Sequence, residues 1–267
     1  GGRAFPKTQK AEDVVRALEQ YARKGWVVIK TDAPVTKIKM AEGKIASVSS
    51  RKETFVAKDY LFATGSVSHP ETGSTGDGFR WLKDLGHTIA KPSPTIVPLA
   101  AKEIWCKKLS GVSLSFMKIT FFTDGKKAFS KKGKILFTHF GLSGPLILNS
   151  AQAVADLLHT GAVTAHIDMY PDTDLGALDR RIVALFDKNK NKTLKNTLKD
   201  FLPDGTDKGI THLLSENIDL NTKVHSIGKD DRKFIVQTLK ALPLSITGLM
   251  GFDRAVIADG GVPLSEI

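Results

Sequence analysis

Cysteine is almost missing from this sequence: Cys106 is the single one in 267 residues. One thiol can form neither an internal disulfide nor a cysteine-rich metal centre, which points to a reducing, cytoplasmic setting. The W-C-K-K context of Cys106 carries no local nucleophile signature, so it reads as a partly buried cysteine. No stretch approaches ~18 consecutive apolar residues, and no membrane-spanning helix is predicted. The N-terminal G-G-R-A-F-P-K-T lacks an apolar core and does not have the shape of a signal peptide. Acidic residues are scarce, 28 against 39 Lys and Arg, which leaves a net charge of +11. That excess favours anionic partners such as nucleotide phosphates, nucleic acid or an acidic surface. His87, His159, His166, His212 and His225 do not fall at metal-ligand spacing with carboxylates, and no metal is assigned. Two phosphate fingerprints are absent as well: no G-K-[ST] follows the glycine-rich stretch, and G-x-G-x-x-G does not occur.

What is present begins with pattern. Val14, Leu18, Tyr21 and Ala22 recur at helical spacing, so a helix capped by Thr8 is expected to run to about Lys24 and stop at Gly25. W-V-V-I-K then reads as a short β-branched strand. V-T-K-I-K-M, I-A-S-V-S-S and T-F-V-A-K-D-Y-L-F-A alternate at period two between turn residues and read as a β-meander. Its last run, Y-L-F-A, is continuously apolar, as in a strand buried on both faces. A short helix is expected from Asp77 to Gly86, and K-P-S-P-T-I-V-P-L reads as a stiff extended crossover. From residue 99 to about 170 the pattern is β-rich, interrupted by one helix from Pro145 to Gly161. Residues 173–242 read as helical, and strand and turn return after Pro243. The lysines gather in two runs, 126–134 and 188–199, which read as a solvated hairpin tip and helix face. Neither has the interleaved aromatics of a single-strand binding platform.

The chemistry-bearing stretch is A-T-G-S-V-S-H-P-E-T-G-S-T-G-D-G-F, residues 63–79. Gly65 has no Cβ to hold a ligand away from the backbone. T-G-S-T-G-D-G-F offers successive N–H groups, hydroxyls and a helix start, a combination suited to a phosphate or a polar ring edge. Two readings stand here: a ligand cradle, or glycines that only make tight turns. Asp77 is expected to cap the helix rather than bind a metal.

The A-T-G strand end, P-x-T-G-S-T-G-D-G, L-G-H-T-I, P-S-P-T-I-V-P-L, G-K-I-L-F-T-H-F-G-L-S-G-P and A-x-I-A-x-G-G-V-x-L-x-E-I occur in one order along essentially the whole chain. Together they strongly resemble the BaiN-like bacterial flavoproteins, predicted NAD(P)/FAD-dependent oxidoreductases. The resemblance implies a mixed α/β and α+β fold. A partial Rossmann-like FAD-binding domain with a β-meander is interrupted by a β-barrel-like domain with a helical piece. It implies FAD-domain parts at 1–97 and 246–267, an inserted β-rich domain at 98–172 and a helical part at 173–245. The family's opening βαβ unit, of ~90 residues, and its closing segment have no counterpart here. The chain is therefore expected to be an internal fragment that binds FAD poorly.

By family position, Val35 would offer backbone hydrogen bonds to the adenine. Thr64, Gly65 and Ser66 would approach the cofactor from the A-T-G turn. Gly73, Ser74, Thr75, Gly76, Asp77 and Gly78 would line the flavin side of the loop, and Gly260, Gly261 and Val262 would lie near the isoalloxazine ring. Ser66 stands where the family has glycine, and His69 where an aromatic is common, here as a packing substitute. In a flavoenzyme the cofactor carries the hydride, and the protein supplies position and a proton donor. His139 in T-H-F-G-L-S-G-P is the candidate, beside a helix start whose N–H groups and dipole face the same way. A helix cap with a backbone-bonded histidine is the competing reading. Arg3 is a candidate for an acidic substrate or flavin phosphate. The implied activity is hydride transfer between FAD and a small organic substrate, with NAD(P)H a possible reductant. The alternative is a basic protein that binds nucleic acid or an acidic partner through the two lysine runs.

Overall fold

The computed structural model describes residues 4–267, so Arg3 lies outside the described residues. The chain forms two compact units that divide after Phe62. The first holds helix α1 (Ala11–Lys24) and a three-stranded antiparallel meander of β1 (Val35–Ala41), β2 (Lys44–Ser50) and β3 (Thr54–Phe55). The Tyr60 hydroxyl pins the meander: it accepts the Ala57 N–H at 2.9 Å and lies 3.3 Å from the carbonyls of Ala46 and Phe55.

The start of α1 differs from expectation. Lys10 occupies the cap position with no side-chain bond, while Thr8 hydrogen-bonds to Asp13 inside the first turn. The helix does stop at Gly25, and Trp26 takes the left-handed conformation (φ 60°). Two expected strands, W-V-V-I-K and Y-L-F-A, are irregular. A strand's N–H and C=O groups need a neighbour's ladder, and among the described residues none pairs with either run. β-branched composition alone does not hold an extended segment in a sheet.

The second unit contains α2 (Asp77–Asp84), β4 (Ala90–Thr95), β5 (Leu99–Ala101), α3 (Ile104–Lys107), β6 (Ser113–Thr123), β7 (Lys126–Thr138), β8 (Gly141–Ser143), α4 (Pro145–Leu148), α5 (Ala151–Thr160) and β9 (Val163–Asp168). It continues with α6 (Leu175–Lys188), α7 (Leu194–Lys199), α8 (Asp207–Leu214), α9 (Lys229–Lys240), β10 (Leu242–Leu249) and β11 (Ile257–Gly261). Six strands close into an antiparallel barrel in the order β10-β5-β8-β7-β6-β9. The fold is thus mixed α/β with a barrel and a helical piece, as the sequence implied.

Alternation builds the barrel core. Ile119 and Phe121 on β6, Ile135 and Phe137 on β7, and Ala165 and Ile167 on β9 are all fully buried. Each large side chain contributes roughly 2–3 kcal/mol by leaving water. The β6–β7 hairpin turns at Asp124-Gly125, both with positive φ (47° and 77°), matching the twist of the flanking strands. A Cβ on Gly141 would fall 2.4 Å from the Leu99 carbonyl oxygen, so only glycine lets β8 close against β5. The same core runs on into the helices through Leu178, Ile182, Leu198, Ile210, Leu214, Ile235 and Leu239. Lys240 ties α9 to the end of β9: its ammonium lies 2.7 Å from Asp168 Oδ2 and donates to the Tyr170 and Thr173 carbonyls, each at 2.7 Å.

Two further expectations change. The helix expected over 145–161 is two, α4 and α5. At the break, the Ser150 hydroxyl turns back to the Leu146 carbonyl (2.7 Å) and Lys131 draws off the Asn149 carbonyl (2.9 Å). The proline-rich stretch is extended but not a free crossover, since β4 pairs with β11 in a two-stranded ribbon. Prolines are tolerated there because each strand has an open edge within that ribbon.

Candidate functional site

The site is built around the loop that leads into α2. It closes on itself: the Gly76 N–H donates to the Ser66 carbonyl (3.1 Å), and Gly73, after a short 3-10 turn, donates to Pro70 (3.1 Å). The glycines permit this folding at close range. A Cβ on Gly78 would sit 1.9 Å from Thr64 Oγ1, one on Gly65 would sit 2.9 Å from Ser74 Oγ, and one on Gly76 would sit 2.8 Å from Val67 Cγ1. Thr64 and Ser74 therefore occupy the space that side chains at Gly78 and Gly65 would need. Gly73 faces open space but has φ 98°, which alone favours glycine.

Asp77 is not the helix cap. Gly76 holds that position in the left-handed conformation, and Asp77 is the first helical residue. Its carboxylate accepts the Thr75 hydroxyl (2.9 Å) and pairs with Arg80 (2.8 Å). With the cap left to a glycine, the amides of Ser74, Thr75, Asp77 and Gly78 have no backbone acceptor among the described residues. The buried Ser68 hydroxyl also has no partner. Amides without backbone acceptors on a loop and the helix start it feeds are donors of the kind that hold a phosphate or the polar edge of a ring.

The end of β11 meets this loop. A Cβ on Gly261 would lie 3.0 Å from the ring of Phe79 on α2, and one on Gly260 would lie 2.8 Å from the Lys91 carbonyl oxygen on β4. Gly261 is thus placed beside α2 and Gly260 against β4, and the half-buried Val262 follows them. Glu266 fastens the segment further on: its carboxylate accepts the Thr88 N–H (2.9 Å) and lies 3.2 Å from His87 Nδ1. Val35 opens β1 opposite Ser50 and belongs to the other compact unit.

His139 is exposed at the turn between β7 and β8 and meets Phe140 edge-on, with ring centroids 4.9 Å apart. The guanidinium of Arg254 lies 5.8 Å from the Phe140 ring centre. Two residues before Arg254, the Phe252 carbonyl accepts the His69 N–H at 3.0 Å. His69 is also within 2.8 Å of Glu71 through Nδ1. Hydrogen bonding from its own backbone, then from His69, holds the Glu71 carboxyl below the usual range, with the charge of Arg254 adding to this. The Phe252 carbonyl thus joins the glycine loop at His69 to the segment whose Arg254 lies over Phe140, the neighbour of His139. His69 does more than fill space: at φ 54° it turns the loop and joins it to Phe252. Arg254, Phe140 and Phe252 went unnoticed in the sequence, where the only signal was a G-F-D-R turn after a strand.

Other sequence candidates stand apart. Cys106 is fully buried, and burial pushes its thiol up to about 12. His166 lies against Phe122 (4.8 Å), and partial desolvation lowers its pKa. Among the described residues no cluster of His, Cys, Asp or Glu could hold a metal ion, and no helix is long and apolar enough to cross a membrane.

The barrel, with the helices that lie between β9 and β10, is matched by a known family. Residues 93–257 fit the HI0933-like protein barrel and H2TH domain. The chain belongs to the HI0933-like family. Among curated relatives of this HI0933-like protein, the 3-dehydro-bile acid delta(4,6)-reductase of Clostridium scindens is 24% identical over 270 residues, covering 100% of this chain and 64% of the relative. The ribosomal RNA dihydrouridine synthase of Haemophilus influenzae is 24% identical over 263 residues, covering 96% of this chain and 61% of the relative. That of Escherichia coli is 23% identical over 259 residues, again covering 96% and 61%. The chain thus spans just under two thirds of the length of the curated relatives it matches. The BaiN-like subset named from the sequence is one reading within that family.

Proposed function

We propose that this chain is the barrel, helical piece and flavin-facing rim of an FAD-dependent reductase that saturates a carbon–carbon double bond. The observation that carries the reading is the donor set of the glycine loop, tied through Phe252 and Arg254 to the turn bearing His139. The relatives' names have reduction in common: one is a reductase, the other makes the dihydro form of uridine. FAD, when bound, supplies the hydride, and reduced nicotinamide is the class of reductant that recharges it. Thr64, Gly65 and Ser66 would border the cofactor at the loop's entry, and the amides of Ser74, Thr75, Asp77 and Gly78 would hold its polar edge or phosphate. Gly260, Gly261 and Val262 would flank its ring system, and Val35 the adenine. His139 would deliver the proton to the carbon that does not receive hydride. Residues 1–97 and 246–267 would belong to the FAD domain, with 98–172 and 173–245 inserted, in a cytoplasmic enzyme.

For the substrate, a small organic molecule is the first reading. One observation favours a second, ribosomal RNA: the net charge of +11 suits a polyanion. The deciding experiment uses the longer parent protein. It should carry flavin absorbance near one equivalent and be reduced anaerobically by NADH or NADPH. His139→Ala should retain flavin but lose roughly 10²–10⁴ in turnover, the range for a general acid. A colourless parent protein would end the flavin reading, and an unchanged rate and pH profile in His139→Ala would end that residue's role.

A further inference from the structure

In each of the two lysine runs some side chains are engaged and others take part in no ion pair among the described residues. On the β6–β7 hairpin, Lys131 donates to the Asn149 carbonyl (2.9 Å) and Lys132 pairs with Asp172 (2.7 Å). In the helical piece, Lys195 of α7 faces an open cleft of about 400 Å³ together with Lys108 and Lys208. None of these three takes part in an ion pair among the described residues, although others nearby do, such as Lys192 with Asp200.

Packing forces this convergence. A Cβ on Gly209 would fall 2.5 Å from the Leu109 side chain and 2.6 Å from the Trp105 carbonyl oxygen. That glycine brings α8 against α3, and so Lys208 onto the cleft that receives Lys108 from the end of α3. Lys195 is fixed from the other side, where its N–H donates to the Leu220 carbonyl (2.9 Å). His212, Ser215 and Asn221 add polar groups to the wall. Its carboxylate, Asp219, is engaged with the Asn221 N–H (2.9 Å). Three exposed lysines lining one cleft give it a positive potential that favours an anion.

We propose that this cleft, lined by Lys108, Lys195 and Lys208, is a docking site for the phosphate backbone of an RNA substrate, separate from the reaction centre. The inference rests on the RNA reading above. It assigns the cleft a positioning role: it holds backbone phosphates, while base chemistry occurs at the loop and barrel turn. Contacts of this kind carry affinity and salt dependence rather than sequence choice.

The test uses the longer parent protein and a fluorescently labelled ribosomal RNA stem-loop. Binding is followed by anisotropy across a salt series, with polyaspartate as competitor. The variant Lys108→Gln/Lys195→Gln/Lys208→Gln replaces exposed residues with side chains of similar length, and a thermal melt verifies its fold. Binding should weaken roughly 10–100-fold at physiological salt, and the slope of log affinity against log salt should shallow by about 2, near ~0.7–0.9 per lost contact. Lys126→Gln/Lys127→Gln on the hairpin should change affinity less than about threefold, as surface charges remote from the contact do. Flavin content and anaerobic reduction by NAD(P)H, measured on the same samples, should match the parent. An unchanged affinity and slope in the triple variant would overturn the proposal. So would a parent protein that binds polyaspartate at this cleft but not RNA. A parent that binds RNA through the cleft yet carries no flavin would sink the reductase reading and leave the cleft standing.

Discussion

The barrel unit and the N-terminal unit are built from similar local signals, yet only one has an interior. From Leu99 to Ile246, buried residues interlock across six closed strands and several helices. From residue 4 to Phe62 not one residue is buried, although α1 carries Val15, Leu18 and Tyr21 and is followed by Trp26, Val27 and Val28. Amphipathic patterning produces elements in both. A core needs two layers facing each other, and a helix or sheet with an uncovered apolar face does not supply the second.

Mutations can break or sharpen this contrast. Phe137, fully buried in the barrel, should cost about 3–5 kcal/mol when changed to Ala, read by urea or thermal unfolding. Trp26, 94% exposed, should cost less than about 0.5 kcal/mol on the same chain. A comparable loss at both positions would show that the N-terminal unit has a packing partner after all. Lys240→Met should cost about 2–3 kcal/mol, because it strands Asp168 and two carbonyls at a site where the paired side chains are only 16% and 15% exposed.

At the rim, Gly78→Ala should cost about 1–3 kcal/mol and loosen α2, because its Cβ collides with Thr64. Gly73→Ala should cost only about 1 kcal/mol, the penalty of positive φ in open space. Thermal melts of the two variants side by side test the difference. The smallest effect is with pH. Hydrogen bonds from Thr88, then from His87, hold Glu266 below the usual carboxylate range. The stability it lends is full above the ordinary carboxylate pKa and is lost as pH falls through the lowered folded value. The protection factor of the Thr88 amide, its exchange rate taken relative to the unprotected rate at the same pH, should fall on acidification in the unmutated chain and be low across the pH range in Glu266→Gln.

Much of this architecture was legible in the residues. Period-two alternation in S-L-S-F-M-K-I-T-F-F and K-I-L-F-T announced the barrel strands, because burial on one face of a strand writes itself every second residue. The helical piece was equally plain. Failures arose where local preference depends on a neighbour: W-V-V-I-K and Y-L-F-A have the composition of strands and no ladder to join. At the loop, the glycines were visible as a group and the Gly260–Gly261 pair was linked to them only by the family resemblance, while their partners were not visible. Phe252 and Arg254 reach His69 and Phe140 only because β10 returns to the barrel, a long-range consequence that no window of sequence contains. Asp77 was misread for a related reason: a left-handed Gly76 can end the loop without any side-chain cap.

Closure of the barrel also decides where this protein is open to sheet-mediated self-association. A ring offers an incoming peptide no unpaired row of amides, whereas β1 in the meander keeps one side unpaired among the described residues. Lys37 and Lys39 sit on that strand as charged gatekeepers. Replacing them with threonine should raise concentration-dependent association, read by light scattering.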